Sequence, residues 1–237
     1  AAASRIAAQP AECRAGRRHK LSAHRSEHKY SRSFIFIVMS WLEDSQVLSK
    51  WKAVTLTETG VPAKPFLTAA KAIISLFDLI AGMGMVKGDM VGNAETLEKL
   101  VGDSDTTLQA LVEAELANGD AAKLVKNGKT ATCALLWLTR ALTFIRELLQ
   151  EMIDKPGAKL TECINAGYER SLKQFHGFAV RTTFSVAVKA APTRETLISK
   201  MGSSEQFVMD AIREVVPLYT QCLQVNSTFL AAKGIAK

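Results

Sequence analysis

From Trp41 onward, apolar residues recur at helical spacing almost without interruption. Over residues 65–80, Phe66, Ala70, Ile73, Phe77 and Ile80 share one stripe, with Lys71, Ser75 and Asp78 on the opposite one. This pattern predicts an amphipathic helix, and its charges argue against a membrane span. Gly82 and Gly84 are expected to end or bend it. A short polar-faced helix is expected over 87–101. Ser104 or Asp105 is expected to cap the next one, with Leu108, Leu111, Val112 and Leu116 inward and a stop at Asn118-Gly119.

Residues 120–130 read as a polar link. Thr130 to Glu151 then carries Leu135, Leu136, Leu138, Leu142, Phe144, Ile145, Leu148 and Leu149. That segment is apolar nearly all round, so it is expected at the centre with neighbours on several sides. Pro156-Gly157 breaks the chain. One long helix is expected from about Lys159 to Ala191, stopped by Pro192, followed by a short one over 194–200. Ser203 with Gln206 has capping-box spacing for the helix after that. Pro217 is expected to kink this helix or divide it from the last. No strand alternation, hairpin signal or repeat of about 20–50 residues appears. The expectation is an all-α fold of about seven to nine helices, and pattern alone leaves a bundle and a two-layer sandwich both open.

Composition agrees, since Ala and Leu are common while Gly (14) and Pro (6) are sparse in 237 residues. The length fits one large domain, or one domain with a tail. Charge divides the chain further. Of the net +7, residues 1–38 hold +6: Arg5, Arg14, Arg17, Arg18, Lys20, Arg25, Lys29 and Arg32 against Glu12 and Glu27. A body over 39–237 is left near neutrality, so a nucleic-acid partner is not expected of it. The basic tail has the composition of an organelle transit peptide. Alternatively, Met39-Ser-Trp-Leu-Glu is a natural start, with residues 1–38 as upstream sequence, and this second reading is preferred. The apolar run Phe34–Val38 is too short to span a bilayer.

Candidate chemistry is thin. Cys13, Cys133, Cys163 and Cys222 form no CxxC pair, and the body has one histidine, His176, because His19, His24 and His28 lie in the tail. No metal site, disulfide framework or cofactor is expected. No GxSxG, P-loop, HExxH or GxGxxG motif occurs, and Gly82-Met83-Gly84 is too short to count. An enzyme is therefore not expected.

Several residues still stand out. Asp89 and Asn93, four apart, share a helix face and could point two polar groups at one ligand. By spacing alone, solvent exposure or a cap describes them more readily. Trp137, in the most apolar segment, has Arg140 three residues on. A core tryptophan with a snorkelling arginine is the plainer reading, and an aromatic platform for a sugar ring beside a fixed charge the sharper one. His176 falls mid-way along the expected long helix. It reads either as a satisfied core histidine or as a neutral imidazole donating to a ligand carbonyl. Gly177 beside it suggests close packing against the backbone.

Taken together, four stretches are similar to the glycolipid transfer protein family. They are Val86-Lys87-Gly88-Asp89-Met90-Val91-Gly92-Asn93, Ala134-Leu135-Leu136-Trp137-Leu138-Thr139-Arg140-Ala141-Leu142, Lys173-Gln174-Phe175-His176-Gly177-Phe178 and Ala190-Ala191-Pro192. The resemblance runs from about Trp51 to Leu230, and the joint order and spacing carry it. It implies about eight helices in two layers around an apolar lipid pocket. It also implies non-enzymatic transfer of a glucosyl-, galactosyl- or lactosylceramide-class lipid between membranes, by a cytoplasmic monomer that visits membrane surfaces transiently.

The resemblance further implies residue roles. Asp89 would anchor the head group and sphingoid amide, Asn93 would bond sugar hydroxyls, Trp137 would stack on the first sugar and His176 would bond the amide carbonyl. Arg140 joins this expected ligand set. Lys87, Thr96, Lys99, Cys133 and Phe178 are further expected ligand or membrane contacts. Two departures stand out. The family's sugar-binding lysine position is Thr96 here, with Lys99 a turn further on, and the membrane-facing aromatic is Phe178 where the family often has tryptophan. Asn93 and Trp137 stand where ceramide-1-phosphate carriers of the same fold place basic residues, which favours a neutral sugar head. Arg140 and Lys87 keep phosphate-lipid transfer open as an alternative, and lipid sensing is the other.

Overall fold

The computed structural model describes residues 40–235. The readings on the tail and on Met39 as a start lie outside that range. Among the described residues there are eleven α-helices and no strands, only two isolated bridges. The all-α expectation holds, with more and shorter helices than the pattern predicted.

The chain opens with α1 (Trp41–Ser45) and α2 (Val47–Lys52), separated by Gln46 at φ 51°. α3 (Ala63–Ile74) follows. The helix expected over 65–80 ends early as a 3-10 turn, Ser75–Leu79, and Gly82 at φ +86° turns the chain into α4 (Gly84–Val101). The next cap is Thr107, not Ser104 or Asp105. The chain is held extended up to that point: Ala63 N–H donates to Thr106 O and Leu108 N–H to Val61 O, both at 2.9 Å. Thr107 then accepts from Ala110 N–H at the start of α5 (Leu108–Leu116). The expected 120–130 link contains one further turn, α6 (Ala121–Leu124), capped by Asp120.

α7 (Ala131–Asp154) is the central helix, packed by α4, α5, α8 and α11. Its side chains are buried on most sides, as an all-round apolar pattern requires. Helices stack in two layers around this interior. The long helix expected over 159–191 is instead α8 (Leu160–Arg170), a 3-10 turn Lys173–Phe175, and α9 (Phe178–Lys189). Ser171 leaves helical geometry at φ −125°, ψ −84°. The Arg181 Nε–H donates to the carbonyls of Lys173 and His176 at 3.1 and 2.7 Å, which ties α9 back to the residues after the break. α8 lies close on α7. A Cβ on Gly167 would stand 2.9 Å from Leu148 N, and Arg170 pairs with Glu147 and Glu151 of α7.

α10 (Arg194–Met201) and α11 (Glu205–Ala232) complete the body. The α11 cap is Ser204, which accepts from Phe207 N–H, not Ser203. α11 runs unbroken through Pro217. Pro217 and Arg213, whose carbonyl loses its donor, are both exposed, so water can fill that bond. No helix among the described residues is long and apolar enough to cross a membrane.

Candidate functional site

The start of α7 is fixed from two directions. Thr130 accepts from Cys133 N–H, and Glu115 of α5 accepts from Ala131 N–H, Thr132 N–H and the Thr132 hydroxyl at 2.6–2.8 Å. These acceptors fill the donors that a helix N-terminus leaves open, and a carboxylate there also suits the helix dipole. Cys133 and Trp137 therefore sit on the rigid first two turns of α7.

Opposite stands α4. The carbonyl of Ala187 near the end of α9 touches Gly82, just before α4 begins. Further along α4, Asp89 and Asn93 share one cavity lining with the residues at the start of α9. His176 is there, in extended backbone (φ −99°, ψ 132°) between the 3-10 turn and α9. It is a linker residue, not the mid-helix residue its spacing suggested. Gly177 is the N-cap of α9 and has open space around it, so no close packing explains it.

Between these elements lies a cavity of about 860 Å³. Its apolar end is lined by Met85, Val86 and Met90 of α4, Ala141 of α7, and Val180, Phe184 and Ala187 of α9. Its polar end is lined by Asp89, Asn93, Lys126, Cys133, Trp137 and His176. α9 covers the cavity while burying only Phe184 and Val188. A second cavity, of about 850 Å³, is lined by Glu43, Asp44, Arg194 and Glu205 among others. Carboxylates outnumber cations there, and Arg194 already donates to Met152 O at the end of α7.

The aromatic groups at the polar end are ordered. The Trp137 and His176 rings stack with centroids 6.1 Å apart at 20°. Tyr168 Oη lies 3.0 Å from His176 Nδ1. The Asn93 amide donates to Asp89 O at 2.8 Å, which locks its rotamer, while no hydrogen bond engages the Asp89 carboxylate among the described residues. Burial pushes the Asp89 carboxyl above its ordinary range, partly opposed by His176. Burial also holds the His176 imidazole below its ordinary value, with Asp89 opposing and Arg181 adding to it. Both shifts favour neutral groups. Burial, with Asp89 nearby, raises the Cys133 thiol as well.

Asp89, Asn93, Cys133, Trp137 and His176 are thus brought to one cavity. The others fall outside it. Arg140 is half-buried over the ring of Phe175, with Cζ 3.5 Å from its centroid and 5.0 Å from that of Trp137. Lys87 pairs with both carboxylate oxygens of Asp78 at 2.6 and 2.7 Å. Thr96 donates to Gly92 O on its own helix, and Lys99 is exposed. Phe178 is 87% exposed at the start of α9. Sequence reasoning missed Lys126, hidden in a link without periodicity, and Tyr168, which no motif or spacing marks.

An all-helical body with a polar mouth leading to an apolar cavity is the architecture of a protein that holds an amphiphile. A family model described as Glycolipid transfer protein (GLTP) matches residues 61–203. Glycolipid transfer protein 1 of Arabidopsis thaliana is 32% identical over 176 residues, 73% of this chain and 85% of that protein. The chain belongs to the glycolipid transfer protein family. Among solved structures it is similar to the fungal glycolipid transfer protein HET-C2 (TM-score 0.70, 28% identity, 79% of this chain and 95% of that one). It also shares the fold of mouse ceramide-1-phosphate transfer protein (TM-score 0.75, 20% identity, 84% of this chain and 99% of that one).

Proposed function

We propose that this protein moves a glycosphingolipid between membranes, as a cytoplasmic monomer and without a covalent step or cofactor. The observation that carries this is the meeting of Asp89, Asn93, Trp137 and His176 at the polar end of one apolar cavity. The uncommitted Asp89 carboxylate would accept from the sphingoid amide and a sugar hydroxyl. Asn93, its amide held by Asp89 O, would offer its oxygen to the sugar. The Trp137 face would carry the first sugar ring, and His176 would donate to the acyl carbonyl. The hydrocarbon chains would occupy the apolar end, where each buried CH₂ contributes about 0.8 kcal/mol. Chain burial gives affinity to any two-chained lipid, so discrimination falls to the head-group contacts, where an unmatched buried polar group costs about 1–3 kcal/mol.

Phe178, with Val180 exposed on the same first turn of α9, would enter the membrane surface and set the cavity mouth against it. Lys126 at the mouth supports a second reading, transfer of a lipid with an anionic head such as ceramide-1-phosphate. Arg140 and Lys87 no longer favour it, being engaged by Phe175 and Asp78.

The test is transfer between vesicles of labelled glucosylceramide or galactosylceramide beside labelled ceramide-1-phosphate. Glycolipid transfer that is lost in Trp137→Ala supports the sugar site. Transfer of the phosphate lipid alone rejects it and moves attention to Lys126.

A further inference from the structure

We propose that Tyr168 is a positioning residue: its hydroxyl holds His176 with the imidazole proton on Nε2, so that the ring presents a donor to the lipid cavity. This rests on the glycosphingolipid reading for its consequence, though not for its geometry.

Tyr168 is placed by backbone packing rather than by the site. It is buried on α8, next to Gly167, where α8 meets α7 too closely for a side chain. Its ring stacks on Phe184 with centroids 3.8 Å apart at 14°. The phenol therefore has one orientation, and its oxygen lies 3.0 Å from His176 Nδ1. The imidazole is confined as well. Trp137 stacks on it, and Arg181 binds the His176 carbonyl.

Proton bookkeeping then decides the tautomer. A neutral imidazole has one N–H and one lone pair, and the hydrogen bond made by one nitrogen fixes the role of the other. Burial keeps both groups neutral, since it raises the Tyr168 phenol and lowers the imidazole. Of the two arrangements, O–H donating to Nδ1 matches the better donor to the better acceptor, because a phenolic oxygen is a poor acceptor. The remaining proton sits on Nε2. His176 lines the cavity and Tyr168 does not, so the unengaged nitrogen is the one available to a ligand. A donor there suits an amide carbonyl. The opposite tautomer would present a lone pair and repel it. Trp137 stacked on His176 and Phe184 stacked on Tyr168 are thus joined through the tilted Tyr168–His176 pair, in one aromatic series.

The experiment uses the full chain and its Tyr168→Phe variant. Long-range ¹H–¹⁵N spectra near neutral pH, with the His176 ring assigned by its loss in His176→Gln, report the tautomer without any lipid. The expected result is protonated Nε2 in the wild type, and a shift toward the other tautomer or a mixture in Tyr168→Phe. Galactosylceramide transfer by the variant should fall about threefold to tenfold, the worth of one hydrogen bond, with the melting transition retained. Protonated Nδ1 in the wild type, or an unchanged spectrum in the variant, overturns the proposal. The expected spectra in a wild type that moves no glycolipid would support the tautomer assignment and reject the glycosphingolipid reading instead.

Discussion

Gly82 and Ala187 are in contact that only glycine permits. A Cβ on residue 82 would stand 2.5 Å from the Ala187 carbonyl oxygen, and residue 82 sits at φ +86°. The contact joins the entry of α4 to the end of α9, the helix that covers the cavity. Gly82→Ala should therefore combine left-handed strain with displacement of α9, at a cost of about 1–3 kcal/mol. Gly88, inside α4 with open space where a Cβ would stand, is the control. Gly88→Ala should stabilise by about 0.5–1 kcal/mol, because it removes only helix entropy. Urea unfolding of the two variants checks the contrast. Equal stabilities would mean α9 is not seated by this contact.

Asp89 should link function to stability with opposite signs. Its folded pKa is raised by burial, so the stability tied to its protonated form is present below the ordinary value of 3.8 and is lost as pH rises through the folded pKa. At neutral pH the empty protein therefore carries a destabilising carboxylate. Asp89→Asn should melt higher than wild type at pH 7 and transfer less glycolipid. On acidification the wild type should lose transfer before an ordinary aspartate would protonate. His176, which burial holds below its ordinary value, charges only at lower pH than a free imidazole, so its step is displaced to the acid side. Thermal melts and a transfer–pH profile for both proteins decide this. A variant no more stable than wild type would contradict the linkage.

These features are unevenly legible in the sequence. The amphipathic stripes, the central α7 and the pairing of Asp89 with Asn93 all follow from 3.6-residue spacing. The break at Ser171 does not. Apolar residues continue in phase from Leu160 through Tyr168 and Leu172, no proline interrupts them, and the bonds that tie α9 back after the break come from Arg181, ten residues on. Spacing therefore singles out His176 for its chemistry but assigns it the wrong backbone. Thr107 takes the cap from Ser104 and Asp105 because of a bridge between Pro62 and Thr107, a pairing across 45 residues that local pattern cannot carry. Arg140 and Lys87 read as free charges because their partners, Phe175 and Asp78, lie on other elements.

Lys126 tests how the mouth treats charge. It is exposed at the rim, so its reach is short and screened within about 8 Å at physiological salt. Lys126→Ala should leave glucosylceramide transfer within about twofold. Transfer of a sulfated or phosphorylated sphingolipid should slow by up to about fivefold at low salt, and the difference should vanish as salt rises. A salt-independent loss on the neutral lipid would instead mean that Lys126 bonds the sugar directly, taking the part expected of the position that Thr96 occupies.

Phe178 separates docking from holding. It is 87% exposed, so truncating it removes no packing, and Phe178→Ala should change folding stability by no more than about 0.5 kcal/mol. If the side chain enters the membrane surface, its loss forfeits up to about 1.5–3 kcal/mol of apolar burial, a tenfold or larger drop in vesicle affinity. Phe178→Trp should restore or exceed wild-type affinity, because an indole N–H suits the head-group level where a phenyl ring has no donor. Vesicle sedimentation gives the affinities, and binding of a soluble short-chain glycolipid gives occupancy of the cavity. The expected pattern is weak sedimentation with normal short-chain binding for Phe178→Ala. Loss of both would place Phe178 in the ligand site. Loss of neither would move the docking surface to the exposed Met85 at the start of α4.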